Sequence, residues 1–390
     1  MSAALDPSAS ATLDGLLVAD FSRVLAGPYA TQTLGDLGAE VIKVERPGAG
    51  DDTRGWGPPY ADGRSTYYLA VNRNKRSIGL DLTDEDDRRD AVELATRADV
   101  VMHNFRAGGA ERFGLGYEQL RPANPGLVYC AISAFGPGDA QGLAGYDFLA
   151  QAMGGLMSIT GPPDGEPTKV GVALVDVLTG MNAAIGVLAA LRARERTGTG
   201  QLVEVDLLSS VLAATVNQVS GYLNAGVVPG RMGNQHPSVA PYETFPTADE
   251  TLAVAVGNDA QFARLCAVLG RAGLAEDERF ATNQARIAHR AELTATLAKA
   301  FVERGRDDWV QRLRAADVAC GPVNDLAQAV ELAREMGAEP VVDLGHADGT
   351  VSHGLASPVR LREAPVTYRR PPPELDEHGD EIRSWLRRPR

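Results

Sequence analysis

Cysteine and histidine are scarce in this sequence. Its 390 residues hold three cysteines, Cys130, Cys266 and Cys320, and six histidines. The cysteines show no CxxC or ligand spacing, and the histidines form no HxH or HExxH. Neither a disulfide framework nor a metal site is therefore expected, and a reducing compartment fits. Cationic excess is also missing. The formal net charge is -13, which argues against general nucleic-acid binding, because that needs a basic face. A local basic pocket for a phosphorylated ligand stays open. Long apolar runs are absent too. No stretch reaches about 18 uninterrupted apolar residues. The nearest, 172–191, is broken by Asp176, Thr179 and Asn182, so a buried helix and no membrane partner are expected. The opening MSAALDPSASATLDG lacks a charged region followed by an apolar one, unlike a signal peptide, and a cytoplasmic location is the expectation. The chain has no GxxxxGK[ST] and no GxSxG, and its first βα turn, DFSRVLAGPYATQ, has no GxGxxG. Glu45 ends the second predicted strand, where dinucleotide folds place a ribose-binding acid. Alone, that match does not support a nicotinamide cofactor.

What is present has the length of two or three domains. It is rich in glycine, with 42 residues. LLVADF (16–21), EVIKVE (40–45), SIGLDL (77–82), DVVMHNF (99–105) and GLVYCAIS (126–133) are apolar, β-prone runs. Helical stretches such as PYATQTLGDLGA and DDRRDAVELATRA alternate with them. That alternation implies an α/β fold with a largely parallel sheet covered on both faces. Helices through GYDFLAQAMGGLM and after Asp176 follow, then a strand QLVEVDL and a helix from about Leu208 to Leu223. The Gly-, Pro- and Asn-rich stretch 224–241 reads as a domain boundary. Beyond it, YETFPTADETLAVAVG suggests an antiparallel hairpin, followed by helices of a smaller α+β module. LASPVRLREAP reads as late strand-like material.

Two features suggest chemistry. Arginines and a lysine gather beside predicted strand ends: Arg23, Arg46, Arg73, Lys75, Arg76, Arg106 and Arg112. In a parallel sheet that edge binds ligands, and the planar guanidinium suits phosphate. The alternative is ordinary surface charge. The second feature is Asp176, a lone carboxylate in KVGVALVDVLTGMNAAIGVLAAL. It either caps a helix, or serves as a poorly solvated covalent nucleophile, with nearby backbone N–H groups stabilising an oxyanion. Spacing does not separate the two.

These residues sit within a longer series of motifs: DFSRVLAGP, LGAEVIKVERPGAGDDTRGWGPP, NRNKRSIGLDL, ADVVMHNFRAGGAERFGLGYEQL, GYDFLAQAMGG, TGPPDGEPTKVGVALVDVLTG, RTGTGQLVEVDLLSS, GNQHPSVAPYETF, ACGPVNDLAQAV and SPVRLREAP. In this order, from about Leu13 to Leu386, the chain resembles a family III CoA-transferase, the group of formyl-CoA and carnitine CoA-transferases. The resemblance implies a Rossmann-like large domain (1–225), a small α+β domain with linkers (226–330) and a C-terminal segment (331–390) returning to the large domain. It also implies a homodimer of interlocked rings. Asp176 would be the nucleophile, passing through a mixed anhydride and an aspartyl-CoA thioester. Coenzyme A, as substrate rather than resident cofactor, would meet Arg23, Val24, Ala26, Arg46, Lys75, Asn104, Phe105 and Arg112. Tyr146, Asp147, Gly233, Asn234 and His236 would support the site.

Some positions depart from parts of the family. The related α-methylacyl-CoA racemases carry GHD where this chain has GYD, with Tyr146 in the histidine's place. A tyrosine (reference pKa about 10) is a poor base near pH 7, which favours transfer over racemisation. Racemisation, with Asp176 and Tyr146 as acid and base, is the second reading. Ala144 replaces a lysine of the formyl-CoA transferase pattern, and a GGGG run is absent. In its region lies RMGNQHPSVAP (231–241), a form closer to members acting on carnitine and on dicarboxylic or aromatic acids.

Overall fold

The computed structural model describes residues 11–137, 140 and 142–389. Most of the N-terminal stretch compared above with signal peptides lies outside the described residues. The chain divides into two compact units. One comprises the chain up to Leu156, Val170–Val227 and the chain from Glu339 onward. The other comprises Met157–Lys169 and Val228–Ala338. The second unit thus includes the 157–169 segment, which a boundary at 226 leaves in the first.

The first unit is built on six strands, β1 (Leu17–Asp20), β2 (Glu40–Glu45), β3 (Lys75–Gly79), β4 (Val100–His103), β5 (Val128–Ser133) and β6 (Leu202–Asp206). All neighbours pair in parallel, in the order β3-β2-β1-β4-β5-β6. Successive side chains on a strand point to opposite faces, and here both faces are apolar. Val18, Val41, Val100 and Val128 pack on one side, against helices α1 (Ala26–Asp36) and α4 (Leu174–Thr197). Ala19, Ile42, Val101 and Tyr129 pack on the other, against α2 (Glu85–Arg97) and the C-terminal helix α11 (Gly379–Leu386). This two-sided burial is why the strands read as near-continuous apolar runs. The strand order reverses between β1 and β4, and ligands of open parallel sheets bind at the carboxyl ends of the strands at such a point.

Helix α3 (Asp147–Met153) precedes α4. By length and composition α4 could cross a membrane, but Val175, Thr179, Ala183 and Val187 form a buried stripe against the sheet unit. The approach is close at Gly180. A Cβ there would lie 2.5 Å from the Ala26 carbonyl oxygen and against the Tyr29 ring. The first turn of α4 is thereby drawn to the β1–α1 turn.

Two local expectations are corrected. The helix predicted over 208–223 is two helices, α5 (Leu207–Ala214) and α6 (Val216–Ala225), broken where Val216 takes a positive φ of 30°. The stretch LASPVRLREAP forms no strand beyond Leu355, because Pro358 and Pro365 cannot donate to a ladder. A hairpin of β10 (Val341–Gly345) and β11 (Val351–Leu355) lies just before it. The C-terminal segment then runs along the first unit. Gly79 N–H donates to Asp376 (2.8 Å), and Arg369 donates to the Ala39 carbonyl (2.7 Å).

The second unit has a three-stranded antiparallel sheet, ordered β9 (Ala319–Pro322), β8 (Thr251–Ala255), β7 (Tyr242–Pro246). One face packs on helices α7 (Asp259–Val268), α9 (Arg290–Phe301) and α10 (Arg306–Ala315), around Phe245, Leu252, Phe262, Phe301 and Trp309. A short helix, α8 (Asn283–Ala288), precedes α9.

Gly180→Ala is expected to destabilise the protein by about 1–3 kcal/mol. Overlap with backbone outweighs the helix-propensity gain of about 1 kcal/mol. Gly221→Ala in α6, where a Cβ meets nothing within 4 Å, should be neutral or stabilising. Urea unfolding of both variants checks the contrast.

Candidate active site

Asp176 does not cap its helix. Ala173 is the N-cap of α4 and makes no side-chain cap bond, and Asp176 is the third helical residue. The cap comes from another element. Asp147, the first residue of α3, accepts from the backbone N–H of Val175 (2.8 Å) and of Asp176 (3.3 Å) through one carboxylate oxygen. Its other oxygen accepts from Gln151 Nε2 (2.6 Å). Gln151 in turn takes the Val170 N–H on its Oε1 (2.8 Å). Leu174 N–H donates to the Val172 carbonyl and Val177 N–H to that of Ala173. The first turn of α4 therefore has no free N–H, and the expectation that it offers an oxyanion site is not met.

The consequence falls on Asp176. Its carboxylate is partly buried and accepts no hydrogen bond among the described residues. Helix N-termini favour negative charge, yet burial, and after it the neighbouring Asp147 carboxylate, push the Asp176 pKa up to about 7. Tyr67 lies within electrostatic reach. Burial, then Asp176 and Asp147, raise its phenol to about 12, so it stays a neutral hydroxyl. Its ring meets Trp56 edge-on at 5.3 Å. Sequence reading missed Tyr67 and Gln151, since no local spacing ties either to Asp176. Tyr146, expected beside the carboxylate, is the N-cap residue of α3 and is mostly exposed.

The carboxyl ends of β1, β2 and β4 carry the other candidates. Arg23 and Arg46 converge on one carboxylate, donating to Asp52 at 2.9 and 3.0 Å. The Arg23 backbone is held reciprocally by Asn104: its N–H donates to Oδ1 (3.0 Å) and its carbonyl accepts from Nδ2 (2.8 Å). Val24 has a φ of 71°, left-handed and strained for a β-branched residue. Its N–H faces both oxygens of Asp51 at 3.3 Å. Ala26 is buried at the start of α1. Phe105 stacks on His103 at 5.3 Å and donates its N–H to His103 Nδ1. Burial lowers the His103 pKa to about 4, keeping it neutral. Arg106 and Arg112 are exposed and carry no ion pair among the described residues.

Lys75 is a correction. Its ammonium is fully buried and donates to Asp20 (3.1 Å), the Pro28 carbonyl (3.0 Å) and Asn72 (3.0 Å). Its three donors are spent internally, so its side chain is no ligand contact. Burial, partly offset by Asp20, lowers its pKa to about 8. Arg73 and Arg76 are likewise internal, paired with Asp36 and with Glu40 and Glu381. Glu45 is spent on Arg54, Ser77 and the Asp51 N–H and has nothing left for a ribose. Among the described residues, no three His, Cys, Asp or Glu side chains gather as a metal site.

Gly233, Asn234 and His236 lie in the second unit. Gly233, at a φ of 59°, donates its N–H to the Gly161 carbonyl (3.0 Å). Asn234 donates to Thr244 (3.0 Å). The His236 and Tyr242 rings are 5.3 Å apart.

A family model described as CoA-transferase family III matches residues 13–379. Among curated proteins, the succinate–glutarate CoA-transferase of Agrobacterium fabrum is 43% identical over 394 residues, covering 97% of each chain. The succinyl-CoA:glutarate CoA-transferase of Mus musculus is 41% identical over 373 residues, covering 95% of this chain and 85% of its own. Among solved structures, a CAIB/BAIF family protein from Brucella suis has a TM-score of 0.86 and 44% identity, covering 97% of this chain and all of its own.

The raised Asp176 pKa has a sign that stability measurements can read. An unfolded aspartate titrates near about 3.9, so the folded state binds this proton more tightly, and stability falls as pH rises from 4 to about 7. Asp176→Asn removes the effect. The variant's thermal midpoint should match the parent near pH 4 and exceed it by a few degrees above pH 8. That corresponds to about 2 kcal/mol once partial solvent exposure is allowed for. Differential scanning calorimetry across this range is the check.

Proposed function

The chain belongs to CoA-transferase family III, and from that premise we propose that it moves coenzyme A from succinyl-CoA to a second short dicarboxylic acid such as glutarate, with Asp176 as covalent nucleophile. The observation that carries the role of Asp176 is a partly buried carboxylate that accepts no hydrogen bond among the described residues, with its pKa raised to about 7. With that pKa it is partly ionised at neutral pH and mostly ionised above it, and it is a more basic nucleophile than an ordinary carboxylate. The names of the relatives supply the acid class.

Asp176 attacks the thioester carbonyl of the donor and expels the CoA thiolate, leaving a mixed anhydride. The thiolate attacks the aspartyl carbonyl, forming an aspartyl-CoA thioester and releasing the donor acid. The acceptor carboxylate attacks that thioester, restoring thiolate and anhydride. The thiolate then attacks the acceptor's acyl carbon, releasing the new acyl-CoA and the free Asp176 carboxylate. No proton or external nucleophile is consumed. Coenzyme A lies along the switch point, its phosphates met by Arg23, Arg46, Arg106 and Arg112. Val24 and Asn104 shape the backbone there, and Phe105 offers an aromatic face.

The protein acts as an interlocked homodimer. Supporting this, Tyr146, Phe148 and Met153 on and beside α3, Met181 and Ile185 on α4, and Tyr222 and Leu223 on α6 are all exposed. Single exposed apolar residues are ordinary; their number along α3, α4 and α6 supports the dimer reading. Light scattering after size exclusion should give twice the chain mass. A monomer in dilute solution at physiological salt would overturn the assembly.

The mechanism is tested by incubating the protein with succinyl-CoA, trapping with hydroxylamine and sequencing the Asp176 peptide by mass spectrometry. A hydroxamate on Asp176, absent from Asp176→Asn, is expected. An unmodified Asp176 across a panel of acyl-CoAs, in protein shown to bind coenzyme A, would reject the covalent route and direct attention to α-proton exchange.

A further inference from the structure

The proposed exchange leaves one buried imidazole unused. His103 is the last residue of β4, at the carboxyl edge of the sheet, on a strand that flanks the reversal of strand order. The Phe105 ring stacks on it at 5.3 Å, and Tyr129 meets it edge to face at 5.2 Å. The Phe105 N–H donates to Nδ1 (3.1 Å). A ring nitrogen that accepts carries no proton, so the neutral ring keeps its proton on Nε2. The residue is only 8% exposed. Burial alone lowers its pKa to about 4, so the ring is neutral near pH 7.

His103 Nε2–H has no protein acceptor among the described residues. Buried donors are ordinarily paired, and leaving one unpaired is costly. This one is not sealed in. Among the described residues, the fully buried side-chain polar atoms without a partner are Arg264 Nε and Thr367 Oγ1, so Nε2 still reaches the surface. Its surroundings are aromatic and uncharged. Phe105 is half-buried and lies 6.3 Å from Phe113, and Tyr117 lies 5.7 Å from Tyr129. The residues read as coenzyme A contacts are close in the chain. Asn104, the next residue, holds the Arg23 backbone through two hydrogen bonds, and the Arg112 guanidinium lies over the Phe113 ring at 5.3 Å. The arginines suit phosphates. A neutral donor beside an aromatic face suits a different part of the ligand. Adenine is uncharged, its ring nitrogens accept hydrogen bonds and its face stacks on aromatic side chains.

We propose that His103 binds the adenine of coenzyme A, its Nε2–H donating to a ring nitrogen of the base beside Phe105. This rests on the reading of the sheet's carboxyl edge as the coenzyme A site.

The test is calorimetric titration with coenzyme A, with dephospho-coenzyme A, which keeps the adenine, and with 4′-phosphopantetheine, which lacks it. Two variants separate the ring's two nitrogens. His103→Asn keeps an acceptor near the Nδ1 position for the Phe105 N–H and has no donor at the Nε2 position. His103→Gln does the opposite. His103→Asn should weaken coenzyme A and dephospho-coenzyme A about fivefold, with 4′-phosphopantetheine within about twofold of the parent. His103→Gln should keep most of the affinity for all three. A ring that only supports the Phe105 backbone gives the reverse order, with Gln the weaker binder, and that result overturns the proposal. So does unchanged affinity for coenzyme A in His103→Asn, or an equal loss for all three ligands. Should His103→Asn not fold, His103→Gln decides: losing the preference for the adenine-bearing ligands overturns the proposal. The Arg106→Gln, Arg112→Gln double variant reads the edge separately. Coenzyme A binding that it leaves unchanged strikes the underlying reading, and the inference falls with it.

Discussion

The Asp147 carboxylate at the N-terminus of α4 is the contact on which the candidate site depends. It does the capping that Asp176 might have done, taking the N–H groups of the second and third helical residues, Val175 and Asp176. That leaves the Asp176 carboxylate without a hydrogen bond among the described residues and places a second negative charge beside it. The helix dipole, typically worth about 0.3–1 kcal/mol near a terminus, loses to burial and this repulsion. Gln151 steadies Asp147 from one turn along α3, and Gly180 lets α4 approach α1 closely enough to bring the pair to the β1–α1 turn.

Beneath that turn lies a set of buried charges that sorts the basic residues into two kinds. Lys43 and Lys75 are sealed in the sheet with Asp51 and Asp20. Burial opposes ionisation of Asp51, but Lys43 and the bonds from Thr53 outweigh it and hold its pKa at about 2. Breaking such a pair leaves one charge buried without its partner, at about 3–5 kcal/mol, so these residues belong to the fold. Asp51 also faces the Val24 N–H and so stabilises a backbone conformation that valine rarely adopts. Arg23, Arg46, Arg106 and Arg112 are the other kind, set at the sheet's carboxyl edge with at most a shared surface carboxylate between them.

The alternation of strands and helices was legible because both faces of the sheet are apolar, and the first turn after each strand located the arginines. Charge alone could not separate the ligand edge from the interior. VNRNKRS looks like a basic patch, yet Arg73, Lys75 and Arg76 each meet an acid from elsewhere in the chain. Nor could local spacing decide between cap and nucleophile at Asp176. The residue that decides it is Asp147, 29 positions away in sequence and brought near only by tertiary packing. The stretch after Leu355 was misread because its apolar content was given more weight than its prolines, whereas the break at Val216 has no Gly or Pro to announce it.

The Asp147–Asp176 repulsion has a direction in the proposed chemistry. It raises the free energy of the ionised ground state, where two carboxylates share one partly buried site. In the anhydride and in the aspartyl thioester, Asp176 is neutral and the repulsion on it is gone. In the proposed reaction, binding energy from coenzyme A at the arginine edge would hold the substrate against a nucleophile that gains by reacting. The same repulsion makes Asp176 a poorer leaving group from its adducts than an ordinary carboxylate. A carboxylate titrating near 7 remains a far better leaving group than a thiolate of ordinary pKa about 8.5, so the exchange can run in both directions. A carboxylate solvated like those on the surface would sit lower in energy and attack more slowly. One buried more deeply would stay protonated at neutral pH. The observed geometry lies between these limits because one aspartate takes the helix N–H groups and leaves the other without them.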